Sequence, residues 1–139
     1  MATQRWTTTD MPDQRGRTTV ITGANSGIGY QTALAFAQHK ATVVLACRNE
    51  AKATDAADRI RAAVPGADIA IQQVDLSSLS SVRAAATRLR AEHEHIDLLI
   101  KNAGAFRTRY AVTEDGFEST FAANHLGPFA LASSVATTV

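Results

Sequence analysis

The sequence has a single cysteine, few aromatic residues and almost no excess of charge. Because Cys47 is the only cysteine among 139 residues, no disulfide can form within the chain, and a cytoplasmic protein is the default expectation. A net charge of +1 without a dense basic run argues against nucleic-acid binding. No apolar stretch reaches the length of a membrane span, and the polar N-terminus lacks the apolar core of a secretory signal. The composition therefore predicts neither a nucleic-acid-binding protein nor a membrane protein.

Apolar residues are plentiful, and alanine is the commonest of them. Hydrophobic residues make up 45% of the chain and charged residues 19%, a balance that excludes an intrinsically disordered protein. The length is that of one domain. Residues 1–17 are polar and are interpreted as a lead-in, which assigns the domain to residues 18–139.

Segments with strand and helix patterns alternate along this domain. β-Branched and apolar runs predict strands, and alanine-rich amphipathic segments predict helices. The strands are predicted at 18–22, 42–47, 69–74 and 96–100, and the helices at 27–39, 50–64, 79–93 and 116 to about 132. This alternation predicts an α/β, Rossmann-like fold, a parallel sheet with helices on both faces.

A glycine-rich turn joins the first strand to the first helix with the spacing Gly-x-x-x-Gly-x-Gly. Glycines allow a sharp turn and close approach of a ligand, and the following helix N-terminus favours a phosphate. A purely structural turn is the alternative. The candidate cofactor-binding residues here are Thr22, Gly23, Asn25, Ser26, Gly27, Ile28 and Gly29.

The end of the second strand indicates which dinucleotide is bound. Folds of this kind bind the ribose 2′-hydroxyl of NAD with an acidic residue about 20 positions beyond the glycines. Cys47 and Arg48 stand there instead, and the Arg48 guanidinium can pair with a 2′-phosphate. NADP(H) is thus favoured over NAD(H). In the alternative, Arg48 merely begins a solvated helix. Cys47 is interpreted as a small packing residue at the end of the strand and not as a redox centre.

Three ordered motifs resemble the short-chain dehydrogenase/reductase family. They are the glycine turn of residues 22–29, Asp75-Leu76 after the third strand and Asn102-Ala103-Gly104 after the fourth. Residues 115–118 and 124–127 are similar to the family's retinol-dehydrogenase-like branch, and the resemblance covers residues 17 to about 131.

The resemblance implies specific roles for these residues. The glycine loop would hold the cofactor phosphates, and Asp75 and Leu76 would contact the adenine. Asn102, Ala103 and Gly104 would lie against the cofactor and steady the central sheet. Lys101 departs from the family pattern, which usually has another asparagine there. As alternatives, Asp75 is a helix N-cap or exposed strand end, and Asn102 a turn residue bonded to its own backbone.

Asn124 stands out on the predicted fourth helix. Phe117, Phe121 and Asn124 have helical spacing, which predicts an amide buried on the apolar stripe. Pro128 has no N–H, so the Asn124 carbonyl should lose its helical partner and the helix should bend. The resemblance implies that this asparagine holds a water of the catalytic proton relay. Satisfaction by neighbouring backbone is the alternative.

The catalytic residues that the resemblance requires are missing. The family uses a serine after a fifth strand and a Tyr-x-x-x-Lys pair on the next helix, but Tyr30 is followed by Leu34 and Tyr110 by Glu114. Ser133 and Ser134 are interpreted as a polar chain end. The remaining candidate side chains form no nucleophile or metal pattern and are interpreted as solvated or cofactor-flanking: Arg107, Arg109 and His125.

The chain is therefore predicted to be an incomplete NAD(P)-binding Rossmann domain whose fourth strand forms an exposed sheet edge. Its expected function is the NADP(H)-binding portion of an oxidoreductase that transfers hydride between nicotinamide and a small alcohol or carbonyl substrate. Without the Tyr–Lys pair we expect no significant catalysis. The alternative is a non-catalytic nucleotide-binding or protein-interaction module that uses the fourth strand or fourth helix. A homodimer through the fourth helix is a further expectation of the resemblance.

Overall fold

The computed structural model describes residues 3–136 and forms a four-stranded parallel sheet with the strand order β3-β2-β1-β4. The strands are β1 (Thr18–Thr22), β2 (Thr42–Cys47), β3 (Asp68–Gln73) and β4 (Leu98–Ile100). The helices are α1 (Gly27–Gln38), α2 (Glu50–Ala63), α3 (Leu79–Glu92), α4 (Ser119–Phe121) and α5 (Gly127–Val135), with a π-helical segment (Ala122–Leu126) between the last two. The predicted α/β class and Rossmann-like sheet are confirmed.

Each face of the sheet is buried against helices. Alternate residues of β2 point to opposite faces, so Val43 and Leu45 belong to a core shared with α1 and α2, while Val44 and Ala46 belong to one shared with α3 and α5. Alanines of the helices, such as Ala33, are fully buried in these cores. The small side chains let the helix backbones approach the sheet closely.

The fourth strand is shorter than predicted. The ladder with β1 pairs Thr19 with Leu98 and Ile21 with Ile100, whereas Ile96 is buried before the strand begins. The Asp97 carboxylate accepts the Thr18 N–H at 2.8 Å and so fixes the start of the pairing. β4 lies at the edge of the described sheet, as predicted.

The predicted fourth helix corresponds to α4, the π-helical segment and α5 together, which we call the fourth helix. It begins and ends later than predicted. Gly116 has φ +84° and lies in a turn, and the helix begins at Ser119, where Glu118 caps the N–H groups of Thr120 and Phe121 at 2.9 and 2.8 Å. It continues to Val135, so Ser133 and Ser134 lie within the helix and not, as had been predicted, after it.

The expected irregularity before Pro128 takes the form of the π-helical segment. Gly127 N–H bonds to the carbonyl of Ala122, five residues earlier, because the proline ring cannot supply the next N–H of a regular helix. One extra residue is thereby accommodated within the helix.

The lead-in is more ordered than its polar composition indicates. It contains a short 3₁₀ helix, Thr8–Asp10, and Gln14 is buried with its N–H bonded to the His39 carbonyl at 2.8 Å. Within residues 3–136 no helix has the combined length and hydropathy needed to cross a membrane.

Candidate functional site

A cleft of about 390 Å³ opens at the carboxyl ends of the four parallel strands. Ligands of open α/β sheets bind in this position, at the point where the order of the strands in the sheet reverses. Segments that follow all four strands contribute to its walls. The lining residues are Gly23, Asn25, Ala46, Cys47, Arg48, Val74, Asp75, Leu76, Ser77, Ala103, Gly104, Ala105, Phe106, Arg107 and Ala123.

The glycine turn is packed directly against the segment that follows β4. Gly23 has φ +66°, and a Cβ at this position would lie 2.9 Å from the Ala103 Cα. A Cβ at Gly29 would lie 2.4 Å from both the Asn102 Nδ2 and the Gly23 carbonyl oxygen. Only glycine fits these two contacts, so part of the motif serves the fold itself.

Thr22 and Asn102 hold the two segments together. The Thr22 hydroxyl oxygen accepts the N–H groups of Asn102 and Ala103, each at 3.0 Å, and the Asn102 amide donates to the carbonyls of Thr22 at 3.0 Å and Gly23 at 3.3 Å. Asn102 therefore ties the segment after β4 to the end of β1 and to the glycine turn, as expected of a turn that steadies the central sheet.

The N-terminus of α1 points out of the same turn. Ser26 is its N-cap residue in extended conformation, but the Ser26 side chain makes no capping hydrogen bond. The first N–H groups of a helix have no intrahelical acceptor and carry the positive end of the helix dipole. This end of α1 can therefore receive an anionic group.

Cys47, the last residue of β2, and Arg48, directly after it, both lie on the cleft wall but differ in exposure. Cys47 is buried, and desolvation raises the pKa of its thiol despite opposing hydrogen bonds from the backbone of Ala24 and Asn25. The neutral thiol is a packing residue, in agreement with the sequence interpretation. Arg48 is exposed, and its guanidinium is in no ion pair with a carboxylate of residues 3–136.

Asp75, the acidic residue of the cleft lining, forms hydrogen bonds within its own turn. Its Oδ1 accepts the Ser77 N–H at 2.9 Å and the Ser77 hydroxyl at 2.6 Å, and its N–H donates to the Ser81 hydroxyl at 2.8 Å. Ser78, not Asp75, is the N-cap residue of α3.

Asn124 is exposed, so the prediction of a buried amide was wrong. Its Oδ1 accepts the Ala105 N–H and its Nδ2 donates to the Ala105 carbonyl, both at 2.7 Å. The helix begins after Phe117, so Phe117 does not share a helical stripe with Asn124. The alternative of an asparagine satisfied by neighbouring backbone describes these contacts.

Some predicted cofactor residues lie away from the cleft lining. Gly27 and Ile28 line a different groove on the outer face of α1, together with Trp6, and Ile28 is 79% exposed. The other residues that do not line the cleft are Thr22, Ser26, Gly29 and Asn102. Phe106 also lines the cleft but was missed; its signal was proximity to the Asn-Ala-Gly motif, two positions before it.

Neither tyrosine lies at the cleft. Tyr30 is half-buried beneath the Arg59 guanidinium, 4.2 Å from the ring centroid, and Tyr110 is 80% exposed on the loop after β4. No cluster of three or more potential metal-ligating side chains occurs within the described part of the chain.

Comparison with known proteins agrees with this geometry. The model of the short chain dehydrogenase family matches residues 17–139. Human retinol dehydrogenase 13 is 45% identical over 116 residues, which cover 84% of this chain and 35% of that protein. The WW domain-containing oxidoreductase of Gallus gallus is 44% identical over 86% of this chain and 29% of its own length. The chain thus spans about a third of the length of these curated relatives.

Solved structures show the same architecture. An uncharacterized protein from Mycobacterium paratuberculosis superposes with a TM-score of 0.83 at 41% identity, over 96% of this chain and 46% of the other. A metagenomic short-chain oxidoreductase in complex with NADP gives a TM-score of 0.77 at 28% identity, over 91% of this chain and 57% of the other. Glycine turn, sheet order and relatives all agree: the chain belongs to the short-chain dehydrogenase/reductase family and is similar to its retinol dehydrogenases.

Proposed function

We propose that this chain is the NADP(H)-binding portion of a short-chain oxidoreductase. The observation that carries the proposal is the position of Arg48, an exposed arginine directly after β2 on the wall of the cleft. An acidic residue in this region would favour NAD(H), whereas a guanidinium forms charge-assisted hydrogen bonds to a 2′-phosphate. The solved relative in complex with NADP supports the same preference.

The cleft residues fit a dinucleotide. Gly23 and Asn25 of the glycine turn line the cleft, and the N-terminus of α1 follows directly after this turn, where its N–H groups and helix dipole favour a phosphate. Leu76 and Ala103 offer apolar surface on opposite walls for the adenine. Bound there, a nicotinamide cofactor would donate hydride to a carbonyl substrate in its reduced form or accept hydride from an alcohol in its oxidised form.

This chain's own contribution is binding and positioning rather than proton transfer. The family's acid–base chemistry uses a tyrosine whose anion is favoured by a neighbouring lysine, and the sequence has no Tyr-x-x-x-Lys. We expect no significant carbonyl reduction by the purified 139-residue chain. Saturable NADPH-dependent reduction, followed by loss of NADPH absorbance, would contradict this expectation.

Replacing Arg48 tests the cofactor preference. Arg48→Ala should weaken NADPH binding by about tenfold or more, since hydrogen bonds to charged groups contribute roughly 1.5–3 kcal/mol each, and it should leave NADH binding unchanged. Calorimetric titration with both nucleotides measures the two affinities. Arg109→Ala is the control, because Arg109 is exposed but does not line the cleft. Equal loss of both affinities, or loss of neither, would contradict the preference.

A second candidate function is protein interaction through the fourth helix, including a homodimer. Phe121 and Phe129 are 51% and 63% exposed, and their rings stack on the exposed His125 with centroids at 5.1 and 6.4 Å. Contiguous exposed aromatic surface of this kind is typical of interfaces. Sedimentation should show a dimer that Phe129→Asp converts to a monomer. A monomeric wild-type chain at a concentration of about 100 µM, near the weak end of specific association, would exclude the homodimer.

A further inference from the structure

Two arginines on opposite sides of the cleft lack an acidic partner. Arg48 follows β2 and Arg107 lies on the loop after β4, and both line the same cleft. Neither guanidinium is in an ion pair within residues 3–136. Four other arginines are paired with carboxylates: Arg15 with Asp13, Arg59 with Asp55, Arg61 with Asp58 and Arg88 with Glu92.

Little negative charge balances these two arginines inside the cleft. Asp75 is the acidic residue of its lining, and its Oδ1 already accepts two hydrogen bonds from Ser77. The N-terminus of α1 adds the positive end of a helix dipole beside the glycine turn. The cleft therefore attracts an anion with more than one negative charge.

The backbone near Arg107 is held in place rather than free to move away. Asn124 bonds both the N–H and the carbonyl of Ala105 at 2.7 Å, two residues before Arg107. On the opposite wall, the Arg48 carbonyl accepts the Gln73 side-chain amide at 3.3 Å. Both arginines thus extend from anchored backbone, which lowers the entropy lost when they bind a ligand.

We propose that Arg107 and Arg48 form a two-arginine clamp that binds phosphate groups of the dinucleotide from both sides of the cleft. The proposal rests on the proposed function, because it assigns Arg107 to the same cofactor site. Guanidinium groups bind phosphate oxygens in bidentate, charge-assisted geometry, and a dinucleotide phosphate offers several such oxygens. Arg48 binds the 2′-phosphate, and Arg107 binds either the same group or the pyrophosphate, which the two nucleotides in the test distinguish.

Arg107→Ala is the central variant, with Arg109→Ala as its matched control. Both arginines are exposed on the loop after β4, but only Arg107 lines the cleft. Affinities for NADPH and NADH are measured by calorimetry for the wild type and for Arg48→Ala, Arg107→Ala, Arg107→Lys and Arg109→Ala. Because Arg107 is exposed, thermal unfolding of Arg107→Ala should match that of the wild type.

We expect Arg107→Ala to weaken NADPH binding about tenfold, Arg107→Lys to weaken it less, and Arg109→Ala to leave it unchanged. If NADH binding is unaffected by Arg107→Ala, both arginines hold the 2′-phosphate; if it falls equally, Arg107 holds the pyrophosphate while Arg48 holds the 2′-phosphate. The proposal is overturned if Arg107→Ala and Arg109→Ala have the same affinities for both nucleotides.

The failure of this proposal can be told apart from failure of the proposed function. A wild-type chain that binds neither nucleotide overturns both. A wild-type chain that binds NADPH and loses affinity on Arg48→Ala, but not on Arg107→Ala, overturns the clamp alone.

Discussion

At the residue scale, two buried threonines of β1 have opposite hydrogen-bonding states. The Thr22 hydroxyl accepts two backbone N–H groups at 3.0 Å, from residues 80 and 81 positions later in the chain. The Thr19 hydroxyl oxygen is fully buried and has no hydrogen-bond partner among the described residues. The two threonine hydroxyls should therefore contribute differently to the free energy of unfolding, although both lie in the same strand.

Substitution by valine separates these contributions, since valine has nearly the shape of threonine. Thr22→Val should lower the free energy of unfolding by roughly 1–3 kcal/mol, because two amide N–H groups lose their acceptor. Thr19→Val is the control and should leave stability unchanged or raise it, because it removes an unsatisfied polar group. Urea denaturation measures both. An equal loss of stability in the two variants would show that side-chain shape, and not hydrogen bonding, determines the stability change.

The sequence identifies the residues of this junction but not their partners. The glycine spacing and the Asn-Ala-Gly motif are local patterns, and both were predicted to lie at the cofactor site. The bonds from Asn102 to Thr22 and Gly23 depend on β1 and β4 being neighbours, which no local pattern encodes. The same holds for Asn124. One interpretation predicted that neighbouring backbone satisfies its amide, but no local pattern identified Ala105 as the partner.

At the element scale, the π-helical segment aligns the fourth helix with two walls of the cleft. Asn124, within the segment, bonds to Ala105, and Gly127, directly after it, approaches the Leu76 carbonyl so closely that a Cβ would lie 2.0 Å from that oxygen. Ala105 and Leu76 both line the cleft. Because π-helical insertions shift the helix face, this irregularity determines which residues meet the cleft walls.

Gly127→Ala tests that close approach. The added methyl group must displace either the helix or the Leu76 backbone, so we expect a loss of roughly 1–3 kcal/mol in the free energy of unfolding. NADPH affinity should fall as well, because Leu76 moves with the cleft wall. Ser133→Ala, at an exposed position of α5, is the control and should change neither quantity. Unchanged stability of Gly127→Ala would mean that the helix has room to shift at this point.

The start of the fourth helix should be sensitive to pH through Glu118. Two backbone N–H groups, of Thr120 and Phe121, favour its charged form and lower its pKa below the ordinary value of 4.5. A carboxylate with a lowered pKa in the folded state stabilises the fold above its ordinary pKa, and this contribution is lost as the pH falls through the lowered value.

The stability difference between wild type and Glu118→Ala should therefore be largest near pH 7 and shrink below pH 4.5. Urea unfolding at several pH values measures this difference. Glu94→Ala is the control, because the Glu94 side chain is 91% exposed and caps no helix in the described part of the chain. A difference for Glu118→Ala that is constant from pH 7 to acid would exclude the charged cap. The sequence could not place this cap, because glutamate is not among the preferred N-cap residues and the turn at Gly116 moved the helix start.

At the scale of the whole molecule, the two cores share the central strands. β1 lies between β2 and β4, and β2 lies between β1 and β3, so both strands are paired on both sides and covered on both faces. β4 is paired only with β1 within the described sheet, and Leu98 is 39% exposed. The alternation of strands and helices predicted this layering, whereas the length of β4 depended on contacts that its sequence does not encode.

Hydrogen exchange with and without NADPH tests the fold and the proposed function together. Exchange should be slowest at Val20, Ile21, Val44 and Leu45, because their N–H groups open only when the central sheet unfolds, and faster in β4 at the edge. NADPH that binds only the folded state should add about 2.7 kcal/mol of protection at 100 times its Kd, and the gain should extend to both cores because they unfold together. Slow exchange without any gain from NADPH or NADH would favour the interaction module. Little protection in β1 and β4, with or without nucleotide, would show instead that the 139-residue chain does not fold stably alone.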